Sequence, residues 1–246
     1  MKFRILSLNI HKGFSTHRRF ILPELREAFR ISSADYVFLQ EVLGQHEQHA
    51  QEVEDWPDQS QTEFLADQVW SDHAYGKNAV YEEGHHGNAI LSRHPIDESH
   101  NTDISSSSLE RRGILYARIE NADTPLHLIC THLSLMSRDR RSQFASIAQL
   151  IDEQVKPDHP LILAGDFNDW NLQAHRILAE PLGLKEAFRE FRGRETKSFP
   201  SFFPFLRLDR IYYRNLKLIE AHCFSGRPWN WLSDHLPLTA EFEGLN

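Results

Sequence analysis

Cysteine is scarce: only Cys130 and Cys223 occur in 246 residues. A pair this sparse gives no disulfide framework, and both lie in apolar surroundings that read as strands, so they are taken as buried thiols in a reducing compartment. A long hydrophobic run is missing as well. The opening MKFRILSLNI alternates apolar with polar residues and no small-residue cleavage site follows it, so it is not expected to act as a signal peptide. Nothing approaches the ~20 consecutive apolar residues of a membrane span, and a cytoplasmic protein is expected. Positive charge is in deficit. With 27 Lys and Arg against 35 Asp and Glu, the formal charge is −8 and the pI ≈ 6.0. Attraction to phosphate backbones should be weak over most of the surface, which argues against a tight, sequence-reading DNA binder. No linker rich in Pro, Gly and Ser divides the chain, no repeat recurs at solenoid periods, and low complexity is limited to the loop-sized run Ser105–Ser108. One domain covering 1–246 is expected, large enough to bury a substantial core.

What the chain does have is strands with unusual ends. Residues 161–171 read LILAGDFNDWN. Leu161 to Ala164 is a short unbroken apolar run of the kind covered on both faces of a sheet. It then delivers Asp166, Asn168 and Asp169. Turn residues satisfying free backbone groups would explain one such ending, but the pattern repeats. Phe3–Asn9 alternates like a strand and ends at Asn9. Tyr36–Leu39 ends in Gln40-Glu41, and Leu126–Thr131 delivers His132. Glu110 stands before the strand Gly113–Ile119. Asp209 lies within the strand Leu208–Tyr213, and Asp234-His235 precede the last strand, Leu236–Phe242. Carboxylates, carboxamides and imidazoles bind metals and move protons, and a rigid β platform is where such groups are held accurately.

Helical stripes separate some of these strands. Pro23 opens one with Leu25, Ala28 and Phe29 on a face; Phe64, Leu65, Val69 and Trp70 mark a second. Phe144, Ile147, Ala148, Ile151 and Val155 mark a third over 138–155. Short helices are expected around 171–179 and 184–191. Strands follow one another directly in the second quarter, where a parallel barrel would need a helix after nearly every strand, so mixed sheets fit better. His46, His49, His73, His85 and His86 lack close, regular metal-ligand spacing and are read as solvated.

Hard oxygen donors without cysteine favour Mg²⁺, with Mn²⁺ able to substitute, over zinc. Together, Asn9 in SLNIHKG, Glu41 in LQEV, His132 in THL, Asp166 and Asn168 in GDFND, Asp209 in LDRI and Asp234-His235 in SDHLPL resemble the endonuclease/exonuclease/phosphatase superfamily. Its motifs run in order from residue 9 to 238. The resemblance implies an α/β (α+β) four-layer sandwich, two mixed sheets packed face to face with helices outside, and strand ends meeting in one cleft. It also implies roles. Glu41 would be the principal metal ligand, with Asn9 and Asp234 near the metal or its waters. Asp166 would orient or deprotonate water, Asn168 would hold a phosphate oxygen, and Asp209 would pair with His235. Glu110 and His132 would form a second acid–imidazole pair. Arg111 or Arg112, beside Glu110, is a candidate to face the phosphate, with a solvated place at the strand start as the favoured reading.

The implied activity is metal-dependent hydrolysis of a phosphoester, foremost a phosphodiester: a nuclease or a small or lipid phosphodiesterase. A phosphomonoesterase of the inositol-polyphosphate kind would call for more basic residues, and a non-catalytic binding module would be expected to have lost metal or histidine positions, none of which is missing. A monomer without an obligatory protein partner is expected. Two aromatic stretches, Phe199–Phe205 and Trp229–Leu232, precede catalytic motifs; burial as core is the favoured reading, with a place at the cleft mouth as the alternative.

Overall fold

The computed structural model describes residues 2–107, 110–120 and 124–245, so Ser108, the end of the serine run, lies outside the described residues. In chain order the elements are β1 (Lys2–Asn9), α1 (Leu22–Ser32), β2 (Tyr36–His46), α2 (Glu47–Glu52), α3 (Gln61–Ala66), β3 (Asp72–Tyr81), β4 (Gly84–Ser92), β5 (Ile96–Asp103), β6 (Gly113–Ile119), β7 (Leu126–His132), α4 (Ser137–Gln154), β8 (Leu161–Asp166), β9 (Lys185–Glu186), α5 (Ala187–Arg192), β10 (Asp209–Arg214), β11 (Leu216–Cys223), α6 (Trp229–Leu232) and β12 (Leu238–Gly244). They form two six-stranded sheets, ordered β11-β12-β1-β2-β4-β3 and β5-β6-β7-β8-β10-β9. Both are mixed: β1 runs parallel to β2 and β7 parallel to β8, while the other pairings are antiparallel.

Strand alternation separates the hydrophobic residues into three layers. Phe3 and Ile5 of β1, Tyr36 and Phe38 of β2, Leu128 and Cys130 of β7, Ile162 and Ala164 of β8 and Ile211 of β10 meet between the sheets. Residues one step along face outward. Leu6, Leu8, Val37 and Leu39 pack under Leu25 and Phe29 of α1, while Ile129, Leu163 and Tyr212 pack under Phe144, Ile147 and Ile151 of α4. The result is the four-layer sandwich. The helices that cover it start and stop on local chemistry. Pro23 sits in the first turn of α1, and Ser33 caps its end in a left-handed conformation. Ser60 and Glu63 close a reciprocal capping box at the start of α3.

Several elements depart from the sequence reading. β2 does not end at Glu41. It continues to His46 through a bulge between Leu39 and Val42, where Glu41 takes a positive φ of 57°. The strands β3 and β5, absent from the sequence reading, are edge strands, and their polar sequences DHAYGKNAVY and IDESHNTD reflect that position. The second helical stripe stops at Ala66; Trp70, beyond it, is pinned by its indole N–H to the Ala34 carbonyl at 3.1 Å. The expected helix over 171–179 is a single π turn at His175–Ala179. Both cysteines are free, Cys130 buried and Cys223 half-buried. No helix among the described residues is long and apolar enough to cross a membrane.

Candidate active site

The inter-sheet layer turns polar at one end. On β1 the inward row Phe3, Ile5, Ser7 arrives at Asn9; on β7 the row Leu126, Leu128, Cys130 arrives at His132; on β8 the row Ile162, Ala164 arrives at Asp166. Asp209 begins the row continued by Ile211 and Tyr213 on β10. Register places these groups side by side: Asp166 lies opposite His132 on one flank and Asp209 on the other. The side chains that point into the core elsewhere on these strands point into a cleft here.

Asp166 is the hub. Its Oδ2 lies 3.4 Å from His132 Nε2 and 3.7 Å from His235 Nε2, and it accepts from Asn9 Nδ2 at 3.3 Å. Its Oδ1 accepts from the Asn168 backbone N–H at 2.9 Å. Asn9 Nδ2 also donates to Glu41 Oε1 at 3.1 Å, tying the two carboxylates together across the sheets. His235 turns its other nitrogen to Asp209, with Nδ1 and Oδ2 2.9 Å apart. The Ser233 hydroxyl, fully buried, donates to the Asn9 carbonyl at 2.6 Å and accepts from the His235 N–H at 3.2 Å. That serine fixes the Asp234-His235 segment against β1, and its place in SDH was the signal that could have found it.

Burial and neighbouring charge set the two imidazoles apart. Burial works against a charged His235, but Asp209 and Asp166 outweigh it and raise the imidazole to about 10. Burial lifts Asp166 to about 6, with the His235 cation pulling the other way. His132 is held neutral, well below its ordinary value, by burial and then by the Arg112 and His235 cations. The cleft therefore holds one cationic and one neutral imidazole around a shared carboxylate.

Some expected residues sit elsewhere. The carboxylate against His132 is Asp166, not Glu110. Glu110 accepts from Arg112 Nη2 at 2.6 Å, from the Leu135 N–H at 3.2 Å and from the Ser134 hydroxyl. It thus anchors Arg112 and the start of the β7–α4 loop, and its partners leave no acid–imidazole pair with His132. Arg112, rather than Arg111, lies near enough to His132 to act on its charge. Asn168 Nδ2 is committed to the Leu133 carbonyl at 2.9 Å, and Asp169 caps the following turn through Gln173 and Ala174. Asp234 stands half-buried at the rim. His86, read as solvated, is half-buried and pushed down to about 4 by burial and then by Lys12, with Glu41 close enough to oppose this. Of the other four histidines only His73 is exposed; His46 and His49 stack at 3.8 Å, and His85 meets the Tyr75 hydroxyl at 2.9 Å.

The donor set suits a hard divalent cation. Glu41, Asp166, Asp209 and Asp234 offer carboxylate oxygens and the cationic His235 offsets one of them, so the site carries a surplus of negative charge. Among the described residues Asp209 Oδ1 is buried without a hydrogen-bond partner, and Asp166, Asp209 and His235 each bring a donor atom within 4.8 Å of the others. No thiolate competes: Cys130 lies behind Gln40, its thiol pushed up to about 12 by burial. Asn9 fits less directly, because its Nδ2 faces the carboxylates while its Oδ1 accepts from the His11 N–H at 3.0 Å.

The sequence pattern of the Endonuclease/Exonuclease/phosphatase family matches residues 6–235, from β1 to His235. The chain belongs to the endonuclease/exonuclease/phosphatase family. Family members are phosphoesterases, and the αββα layers with strand ends converging on one cleft are the family's fold. The uncharacterized protein YbhP of Escherichia coli K12 is 51% identical over 242 residues, covering 97% of this chain and 95% of its own. An endonuclease/exonuclease/phosphatase from Bacteroides vulgatus superposes with a TM-score of 0.78 at 17% identity over 100% of both chains. D. rerio TDP2, in a structure with a single-strand DNA product, superposes with a TM-score of 0.70 at 18% identity over 98% of this chain and 99% of its own.

Proposed function

We propose that the chain is a phosphodiesterase that works with Mg²⁺ and accepts Mn²⁺. The observation that carries this reading is the Asp209–His235–Asp166–His132 array closed by Asn9 onto Glu41. A phosphodiester resists water because its anionic oxygens repel nucleophiles, so catalysis must offset charge, orient water and stabilise the departing oxygen. His235, held cationic by two carboxylates, supplies positive charge and a proton donor toward a phosphate oxygen. Asp166 orients the attacking water and accepts its proton. His132, neutral and hard to protonate, is a hydrogen-bonding partner for the ester rather than a second cation. A divalent ion held by Glu41, with Asp234 and the Asp166–Asp209 oxygens nearby, would supply further charge neutralisation.

Hydrolysis of bis-(p-nitrophenyl) phosphate with Mg²⁺ or Mn²⁺ tests this reading, with p-nitrophenyl phosphate as the monoester control. Wild type should turn over the diester faster than the monoester, and both Glu41→Gln and His235→Gln should lose roughly a hundredfold or more of that rate. Added Mg²⁺ should raise the unfolding temperature of wild type but not of Glu41→Gln. Full diester turnover by Glu41→Gln at millimolar Mg²⁺ would remove the metal assignment.

A further inference from the structure

Large apolar side chains that remain exposed gather at the catalytic edge. Leu135 and Met136 come three and four residues after His132, the end of β7; Trp170, 58% exposed, and Leu172 follow β8 and Asp166. Phe202 and Phe203, 76% and 72% exposed, and Phe205 stand on the segment leading to Asp209 of β10. β7, β8 and β10 are neighbours with His132, Asp166 and Asp209 in register, so these three loops leave one edge of the sheet together. They are also fastened there. Arg140, buried, donates to the carbonyls of Ser134 and Leu135 at 3.0 and 2.7 Å and to Asn171 Oδ1 at 3.1 Å, joining two of the loops. The third is tied to the active site through Ser201 N–H on the Asp234 carbonyl at 2.7 Å and Phe199 packed 4.8 Å from the His235 ring.

Unpaired cations flank the same edge. Beside the phenylalanine loop a cavity of about 470 Å³ is lined by Arg192, Arg194, Lys197 and Arg207, with Pro204 and Leu236. Its one acid, Glu195, is already paired with Arg189 at 3.0 Å. Across the cleft, Arg138 and Arg141 stand exposed on the first turns of α4. Among the described residues none of these six cations makes a salt bridge, in a chain whose formal charge is −8.

We propose that this edge docks on an anionic membrane surface, and, resting on the hydrolase reading above, that the substrate is a phosphoester presented by lipid headgroups. Apolar side chains at loop tips with cations behind them match the two layers of a bilayer interface, acyl boundary and anionic headgroup. A single-stranded nucleic acid fits less well. Base stacking uses one face of a ring seated along a backbone-tracking groove, whereas rings about three-quarters exposed gain most in a medium that surrounds them.

Co-sedimentation of the full chain with vesicles of equimolar phosphatidylcholine and phosphatidylglycerol, and of phosphatidylcholine alone, tests the proposal. Wild type should bind the mixed vesicles and shift the fluorescence of exposed Trp170 to the blue, with little binding to phosphatidylcholine alone. Combined Phe202→Ser, Phe203→Ser and Phe205→Ser should weaken binding by roughly tenfold or more, as should combined Arg194→Gln and Lys197→Gln, which also flattens the salt dependence. Both variants should hydrolyse bis-(p-nitrophenyl) phosphate like wild type, which separates docking from chemistry. Failure of wild type to bind the mixed vesicles, or unchanged binding by the phenylalanine variant, overturns the docking surface. So does retention of a single-stranded oligonucleotide in place of vesicles. Vesicle binding with no diester turnover by wild type supports the docking surface while overturning the hydrolase reading and the lipid substrate with it.

Discussion

The Nδ1 of His235 and the Oδ2 of Asp209 stand 2.9 Å apart with both side chains buried, so the imidazole donates that proton to the carboxylate and presents Nε2 to Asp166. Removing the carboxylate should therefore change both the orientation and the charge of the ring. Asp209→Asn is expected to lower diester turnover by roughly a hundredfold, the scale of losing a carboxylate that orients a histidine. The pH dependence has a definite sign. His235 is raised from 6.5 to about 10, so the stabilisation its charge gives the fold is complete below 6.5, where the unfolded chain is protonated too, and is lost as pH rises through about 10. The stability advantage of wild type over Asp209→Asn should shrink over that window. Imidazole ¹⁵N shifts followed against pH would show the His235 transition moving down in the variant; an unmoved transition would break the link.

Gly165 precedes the hub carboxylate, and its backbone explains why no side chain stands there. Its φ is +148°, and an added Cβ would meet the Thr131 carbonyl oxygen at 1.9 Å across the parallel β7–β8 pair. Backbone on both sides leaves nothing flexible to yield. Gly165→Ala is expected to cost about 3 kcal/mol or more and to displace Asp166 from His132. Gly183 makes the contrast: its φ is +66°, but nothing lies within 4 Å of where a methyl would stand, so Gly183→Ala should cost only roughly 1–2 kcal/mol. Urea midpoints of the two variants, measured together, check the difference, and equal midpoints would refute the steric account.

The buried strands are legible as short apolar stretches: β6 is bounded as Gly113–Ile119, while β7 and β8, read to Thr131 and Ala164, run on to His132 and Asp166. What the sequence hid was set by partners distant along the chain. β3 and β5 lie at sheet edges and carry no apolar row to read. Glu41 looked like a strand terminus because a bulge interrupts the pattern while the strand goes on. The family resemblance implies Glu110 as a partner of His132, yet three-dimensional packing gives its carboxylate to Arg112, Ser134 and Leu135. The aromatic stretches split in the same way: Trp229 and Trp231 pack against the core beneath α1, whereas Phe202, Phe203 and Phe205 are exposed. Composition treats both stretches alike, and only the cover available on each side of the sandwich distinguishes them.

Arg140 is a buried cation in the first turn of α4, on the face that also buries Phe144 and Ile147, whereas Arg138 and Arg141 on either side of it are exposed. Its guanidinium bonds three acceptors on the two loops that follow β7 and β8, and lies 6.0 Å from the Trp170 ring. Met at this position would fill the stem's volume but leave the Ser134 and Leu135 carbonyls and Asn171 without their donor. Arg140→Met is expected to cost about 2–4 kcal/mol, because unpaired buried acceptors keep their full desolvation penalty. Lysine restores the charge without the planar fork, so Arg140→Lys should recover part of the stability and less of the turnover. Those loops also hold Leu133, the acceptor for Asn168, so kcat should fall roughly tenfold in Arg140→Met while KM for the small soluble diester changes little. Hydrogen exchange at residues 134–136 and 170–172 gives the structural readout. Faster exchange confined to these segments fits a tether between the loops; uniform acceleration through β7 and β8 would mean that Arg140 supports the core and not the loops.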